Sequence, residues 1–133
     1  MRTQTRVLGV VLGMAMLALP ASAHHGTNIS YDHDKPTVIS GTVTEFVWQN
    51  PHVQIYFDVK EANGTVRNWA SELNSPSVLR RQGWTRTTFK AGDRITLTMF
   101  PSKAGAPVGV VDRTKPILVD GKEVIRANQR NVD

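Results

Sequence analysis

Cysteine is absent from the 133 residues of this chain. The absence excludes disulfide bonds and any cysteine–histidine catalytic pair, so stability has to come from packing, a bound ligand or a metal ion. The sequence also lacks a serine–histidine–aspartate arrangement and a glycine-rich phosphate loop. Paired carboxylates suited to acid–base catalysis are not evident either. We therefore expect that the protein is not an enzyme.

Acidic residues are absent from the beginning of the chain, where the first is Asp32. Arg2 and Arg6 precede an apolar run, Val7–Leu19, and the small residues Ala21-Ser22-Ala23 follow it. This order is typical of a cleavable secretory signal peptide. A membrane anchor is the alternative, but the run has about 13 residues and a spanning helix needs roughly 20. We predict that residues 1–23 form a signal peptide.

Cleavage after Ala23 would leave a mature chain that begins His24-His25. We expect this chain to be periplasmic or secreted and to have no membrane anchor. We divide it into an N-terminal histidine-containing segment, residues 24–36, and one domain, residues 37–133. The formal net charge of +5 includes Arg2 and Arg6, so the mature chain is less basic than that value. Export argues against a nucleic-acid partner.

The domain begins with three predicted β-strands. Val38–Trp48 is rich in β-branched and aromatic residues, and its apolar positions change parity near Thr44-Glu45, which predicts a β-bulge. Val53–Val59 alternates apolar and polar residues as a strand does. Asn63-Gly64 indicates a hairpin turn, and Val66–Leu73 is the predicted return strand.

A short helix and two further strands are predicted next. Ser75-Pro76 indicates the start of the helix and Gly83 its end. Ile95–Met99 is the fourth predicted strand, and Val108–Val111 and Ile117–Val119 together supply the fifth. Three strands, a helix and two strands are the element order of the OB-fold, a five-stranded, partly open barrel with a long, bent first strand. We therefore predict an all-β, OB-fold-like barrel with one short helix; a small β-sandwich is the alternative. Of the three tryptophans, at least two should be in the core.

The histidines are unevenly placed, because all four lie between positions 24 and 52. After cleavage, the α-amine and imidazole of His24 could chelate a metal ion, as could the amine with the amide and imidazole of His25. Nitrogen donors in a plane suit Cu(II), with Ni(II) and Zn(II) next. His52, which follows Pro51 at the entry to the second strand, could complete the set. We predict a metal site of His24, His25, His52 and Asp32, with copper as the cofactor.

The same residues have structural interpretations. A His-His terminus can be a tail without a native metal, and His52 can cap a strand. We expect His33 to be solvated and Glu72, at the end of the third strand, to have a structural role rather than to bind metal. A basic stretch around the helix is interpreted as a solvated face rather than as an anion site. It consists of Arg80, Arg81, Arg86, Lys90 and Arg94.

Several motifs are shared with a known group of proteins. They are Ala23-His24-His25, Tyr31-Asp32, Lys35-Pro36, Gly41-Thr42-Val43, Asn50-Pro51-His52, Trp69 with Glu72, Ser75-Pro76, Arg81-Gln82-Gly83-Trp84 and Gly92-Asp93. Through them the mature chain resembles, over essentially its whole length, an uncharacterised family of small exported bacterial proteins, a domain of unknown function. Gly26 departs from the serine that is common there. The resemblance supports the boundaries and implies no activity.

Two functions stay open. The first is a small periplasmic protein that binds a metal ion, copper foremost, through its mature N-terminal histidines and carries or buffers it, with a periplasmic protein as a further partner. The alternative is an OB-fold interaction module that binds a peptide, glycan or partner protein without metal, with Tyr56 among its contacts. A contiguous exposed aromatic patch would favour the alternative. A copper oxygenase ranks below both, because the sequence indicates no substrate groove.

Overall fold

The computed structural model of the chain describes residues 30–125. The predicted signal peptide, His24 and His25 lie outside the described residues. Within residues 30–125, no helix is long and apolar enough to cross a membrane. The described elements are β1 (Thr37–Val47), β2 (Gln54–Lys60), β3 (Val66–Glu72), α1 (Pro76–Arg81), β4 (Arg94–Pro101), β5 (Val108–Val111), β6 (Ile117–Val119) and β7 (Lys122–Ile125).

Five of the strands close into a barrel. Their order is β1-β2-β3-β5-β4, and β1 also pairs with β4, which joins the two edges. The pair β3–β5 is parallel and the other pairs in the barrel are antiparallel. This order, with α1 between β3 and β4, confirms the predicted OB-fold. The predicted fifth strand is divided into β5 and β6, which pair with different ends of β4, and β7 extends β6 as a hairpin.

β1 is bent so that it can pair with β4 through its first half and with β2 through its second. The β1–β2 register shifts between Val43 and Glu45, so Thr44 is the extra residue of a β-bulge. This is the bulge that the change of parity predicts. Gly41 lies just before it, where a Cβ atom would be 2.5 Å from the carbonyl oxygen of Asp58. The close approach of β1 and β2 therefore requires glycine at this position.

Apolar side chains from the strands fill the barrel, and α1 adds Leu79 to them. Pro76 is at the start of α1, and Gly83 follows its end with a φ of +86°, both as predicted. Burying Leu79, which is 2% exposed, stabilises the helix on the barrel by about 2 kcal/mol. The fourteen residues of the core cluster include Trp48 and Trp84, and Trp69 packs against it. The prediction that at least two tryptophans are core residues is confirmed.

The β2–β3 hairpin has a three-residue turn. The backbone N–H of Glu61 donates to the carbonyl of Thr65 (2.8 Å), and the N–H of Gly64 donates to the carbonyl of Glu61 (2.9 Å). Gly64 has a φ of +85°, in the left-handed region that glycine adopts most readily. The turn sets the register of the whole hairpin and places Gln54 opposite Glu72.

A row of paired residues crosses one end of the barrel on its outer face. It consists of Gln54, Glu72, Val110 and Phe100, on β2, β3, β5 and β4. Residues 30–32 attach beside this row as a short continuation of the sheet. Tyr31 forms a bridge with Ser102, and the N–H of Asp32 donates to the carbonyl of Pro101 (2.9 Å). The end of the N-terminal segment is therefore joined to the barrel.

Candidate functional site

His52 and Glu72 form the centre of the candidate site. The Nδ1 atom of His52 lies 2.8 Å from Oε1 of Glu72, and 27% and 20% of their side chains are exposed. The hairpin register continues beyond β2 and β3 through backbone bonds that join Val53 to Leu73 (2.8 Å) and to Asn74 (3.0 Å). His52 is therefore diagonal to Glu72 across the two chains, where long side chains can meet.

The contact between His52 and Glu72 joins an imidazole nitrogen directly to a carboxylate oxygen. A histidine that ligates a metal commonly donates its other ring N–H to a carboxylate, which fixes the tautomer and the orientation of the ring. When the Nδ1 proton is directed at Glu72, a neutral His52 carries its lone pair on Nε2. Glu72 contacts His52 in this way, and the structural role expected for Glu72 stays a prediction.

Tyr31 connects the N-terminal segment to this pair. Burial raises the pKa of the Tyr31 phenol above its ordinary value of 10.0, and the negative charge of Glu72 raises it further. The second effect arises because ionising the phenol would bring two negative charges together. Sequence reasoning noted Tyr31 only as part of a motif. No local pattern indicates its approach to Glu72, because the approach depends on the pairing of residues 30–32 with residues 101–103 at the end of β4.

Asp32, the predicted oxygen donor, uses both carboxylate oxygens in a local turn. Its Oδ2 atom lies 3.4 Å from Nζ of Lys35, and its Oδ1 atom accepts the backbone N–H of Asp34 (3.2 Å). The carbonyl of Asp32 also accepts the N–H of Lys35 (3.2 Å). These contacts stabilise the turn that leads from the N-terminal segment into β1.

The part of the chain that the structure describes contains no group of three or more histidine, cysteine, aspartate or glutamate residues placed to hold a metal ion. His33 is exposed, and the centroid of its ring lies 4.5 Å from that of Phe100. The solvated position expected for His33 agrees with this exposure. A metal site at His52 would therefore need donors from His24 and His25.

Comparison with known proteins shows the family of the chain. The model of the Family of unknown function (DUF6152) matches residues 11–115. The chain belongs to this family. The match confirms the resemblance drawn from the motifs to a family without an assigned function. A search of the curated proteins finds no match.

A solved structure is similar to this DUF6152 protein. It is the mitochondrial single-stranded DNA-binding protein Rim1 from S. cerevisiae, with 13% sequence identity and a TM-score of 0.44. The similarity covers 66% of this chain and 95% of that chain. The assignment of the OB-fold to the DUF6152 protein rests on its own strand order and on the closure of β1 against β4.

The outer face of the DUF6152 protein offers little aromatic surface in its described part. Every phenylalanine, tyrosine and tryptophan among residues 30–125 is buried or half-buried. Tyr56, a predicted contact residue, donates its hydroxyl proton to Oε1 of Gln54 (2.6 Å). Among residues 30–123, whose burial is described, the exposed large hydrophobic residues are Val38 and Val66. The alternative of an interaction module gains no support from an aromatic patch.

Proposed function

We propose that this protein is a small exported metal-binding protein, with copper as the principal candidate, and that it carries or buffers the ion. The observation that carries the proposal is the 2.8 Å contact between His52 and Glu72. A carboxylate that receives Nδ1–H holds the imidazole in the tautomer and orientation that a metal ligand needs.

The N-terminal segment would supply the other donors. Tyr31 is attached to the barrel beside the row that contains Glu72, and the negative charge of that carboxylate contributes to the raised pKa of the Tyr31 phenol. The six Cα–Cα steps from His25 to Tyr31 can span at most about 20 Å. Chain length therefore allows His24 and His25 to reach the imidazole of His52.

The proposed donors are nitrogen atoms: the α-amine and imidazole of His24, the imidazole of His25 and that of His52. This donor set favours Cu(II), and then Ni(II) and Zn(II), over the oxygen-preferring ions. Asp32 ranks last among the proposed ligands, because Lys35 and Asp34 already contact its two carboxylate oxygens. Since the amine and imidazoles bind metal only when they have lost their protons, the affinity should fall as the pH is lowered.

The test is a competition titration of Cu(II) with mature protein that begins at His24. His52→Ala should bind copper more weakly than the wild type. Glu72→Gln should lose about tenfold to a hundredfold in affinity, the usual effect of removing an outer carboxylate partner. His33→Ala is the matched control, since it removes an imidazole outside the proposed site, and it should bind as the wild type does. Equal affinity in His52→Ala and the wild type would remove His52 from the site.

The role of the N-terminus needs its own variant. A mature chain whose His24 α-amine is acetylated keeps every histidine but no longer offers that amine to a chelate. We expect weaker binding and fewer nitrogen ligands in the electron paramagnetic resonance spectrum of the bound Cu(II). An unchanged affinity and spectrum would show that the amine is not a ligand.

A further inference from the structure

A second candidate site lies beside α1 and shares no residue with the His52–Glu72 pair. It is an open groove of about 460 Å³, which we name the tryptophan–arginine groove, lined by Trp48, Arg80, Trp84, Thr85, Arg86 and Thr87. We propose that this groove binds a small organic anion that carries an apolar, preferably aromatic, body. The proposal is independent of copper and of the N-terminal histidines.

The apolar part of the groove is provided by two tryptophans that are fixed in the core. Trp48 and Trp84 are 7% and 4% exposed. Their rings are connected through two phenylalanines: Phe46 contacts Trp48 at a centroid distance of 6.0 Å, and Phe89 contacts Trp84 at 5.5 Å. Phe46 and Phe89 contact each other at 5.3 Å. Because this chain of edge-on contacts holds both indoles in place, the apolar surface is formed before any ligand arrives.

The same two indoles carry donors that the protein does not use. The Nε1 atoms of Trp48 and Trp84 are buried and have no hydrogen-bond partner in the described part of the chain. Buried polar groups almost always have a partner, so each exception requires an explanation. Both Nε1 atoms are themselves buried, so the groove offers a ligand the apolar parts of the two indoles rather than these donors. Trp69 has an unused donor as well, but it does not line this groove.

The charge at the groove is positive. Arg80 and Arg86 line it, both are exposed, and none of the described residues that line it is acidic. A guanidinium group offers parallel N–H donors that match the two oxygens of a carboxylate. The sequence indicated that the basic stretch around α1 is a solvated face. For Arg80 and Arg86, the neighbouring buried indoles favour the anion site instead.

The loop after Trp84 is ordered by its own hydrogen bonds. The N–H of Thr85 donates to Oγ1 of Thr88 (2.8 Å), and the hydroxyl oxygens of Thr85 and Thr87 lie 3.1 Å apart. The bonds hold Thr85 and Thr87 at the groove, where the hydroxyl that accepts in their mutual contact keeps its own proton as a further donor. A groove of this volume suits a small molecule, with its apolar body on the indoles and its anionic group at the arginines.

Hydrocinnamate is a suitable probe, because it joins a phenyl ring to a carboxylate. The mature protein is labelled with nitrogen-15, and its indole N–H signals, assigned through single Trp→Phe variants, are followed during the titration. The signals of Trp48 and Trp84 should shift with a common dissociation constant in the millimolar range or tighter. The signal of Trp69 should stay in place. Phenethylamine, of similar shape and opposite charge, should shift none of them, and acetate should bind more weakly than hydrocinnamate.

Charge-matched variants locate the anion. Arg80→Gln/Arg86→Gln should weaken hydrocinnamate binding by about tenfold or more, since two charge-assisted contacts are lost. Arg81→Gln/Lys90→Gln removes the same charge from positions outside the groove, and its affinity should stay close to that of the wild type. All four side chains are exposed, so both variants should fold, which the dispersion of the same spectra verifies.

Several results would overturn the proposal. They are the absence of shifts at Trp48 and Trp84 in millimolar hydrocinnamate, equal shifts at all three tryptophans, equal binding of phenethylamine, and equal losses of affinity in the two double variants.

Discussion

The pair of His52 and Glu72 should stabilise the folded protein even without metal, and a double-mutant cycle isolates its contribution. The cycle compares the wild type, His52→Ala, Glu72→Ala and the double variant in urea denaturation with EDTA present. Each single substitution also removes whatever else its side chain does. Because the cycle cancels those separate effects, the coupling energy reports the pair itself.

The expected coupling energy follows from the distance and the exposure. A hydrogen bond to a charged group contributes about 1.5–3 kcal/mol when it is shielded from water, whereas an exposed ion pair contributes about 0.2–1 kcal/mol. The 2.8 Å distance is that of a direct hydrogen bond, and the side chains are 27% and 20% exposed. We therefore expect a coupling energy of about 1 kcal/mol, between the two limits. In a domain of about 100 residues, this corresponds to roughly 4–8 °C in Tm.

A second pair on the same hairpin is the control. Arg67 and Glu61 lie 3.7 Å apart, and their side chains are 44% and 36% exposed. The same cycle on this pair should give a coupling energy below about 0.5 kcal/mol, as is usual for exposed pairs. If the coupling of His52 and Glu72 were no larger than that of the control, Glu72 would not hold the imidazole in place.

Three further predictions concern Tyr31 and Gly41. With Tyr56→Phe, Tyr31 is the remaining tyrosine of the two in the chain, and Glu72→Gln in that background should lower the Tyr31 pKa measured by tyrosinate absorbance; an unchanged pKa would show that the charge of Glu72 does not act on the phenol. Because the pKa of Tyr31 is raised in the folded protein, its contribution to stability is complete below pH 10.0 and is lost as the pH rises through the folded pKa. The free energy of unfolding should therefore fall at alkaline pH, less steeply in Tyr31→Phe, and equal slopes would contradict this. Gly41→Ala should destabilise by about 1–3 kcal/mol in urea denaturation, since its Cβ would lie 2.5 Å from the carbonyl oxygen of Asp58; wild-type stability would refute the required close approach.

The barrel could be predicted because apolar and polar residues alternate in the sequence of its strands. Ile55 and Phe57 alternate with polar residues in the sequence, and both are fully buried in the barrel. The change of parity in β1 was equally informative. Val43 and Phe46 have opposite parity, yet Val43 lies in the core and Phe46 packs against it, which is possible because the bulge inserts one residue between them.

The pairing of His52 with Glu72 was harder to predict, because it depends on the length of one turn. A two-residue turn at Asn63-Gly64 would place Glu72 opposite Ile55, on the face that points into the core. The three-residue turn places it opposite Gln54 and outside the barrel. A shift of one residue exchanges the two faces of a strand, and the turn residues alone do not determine which register forms.

The tryptophan–arginine groove could not be predicted from the sequence, because distant segments form it. Trp48 follows β1, whereas Arg80 is in α1 and Trp84 and Arg86 are in the loop after it. The sequence shows a cluster of positive charges there, but it does not show that two of them border buried indoles. The packing of α1 and its loop against the barrel brings these arginines beside the tryptophans.

The copper content of the protein purified from its own cells is the most direct measure of whether His52 belongs to a native metal site. The wild type, His52→Ala and His33→Ala are purified without added metal or an affinity tag, and N-terminal sequencing tests whether their chains begin at His24. We predict a stoichiometric amount of copper in the wild type and in His33→Ala, and a marked loss in His52→Ala. Wild-type mature protein that contains no copper, nickel or zinc would contradict the proposed function.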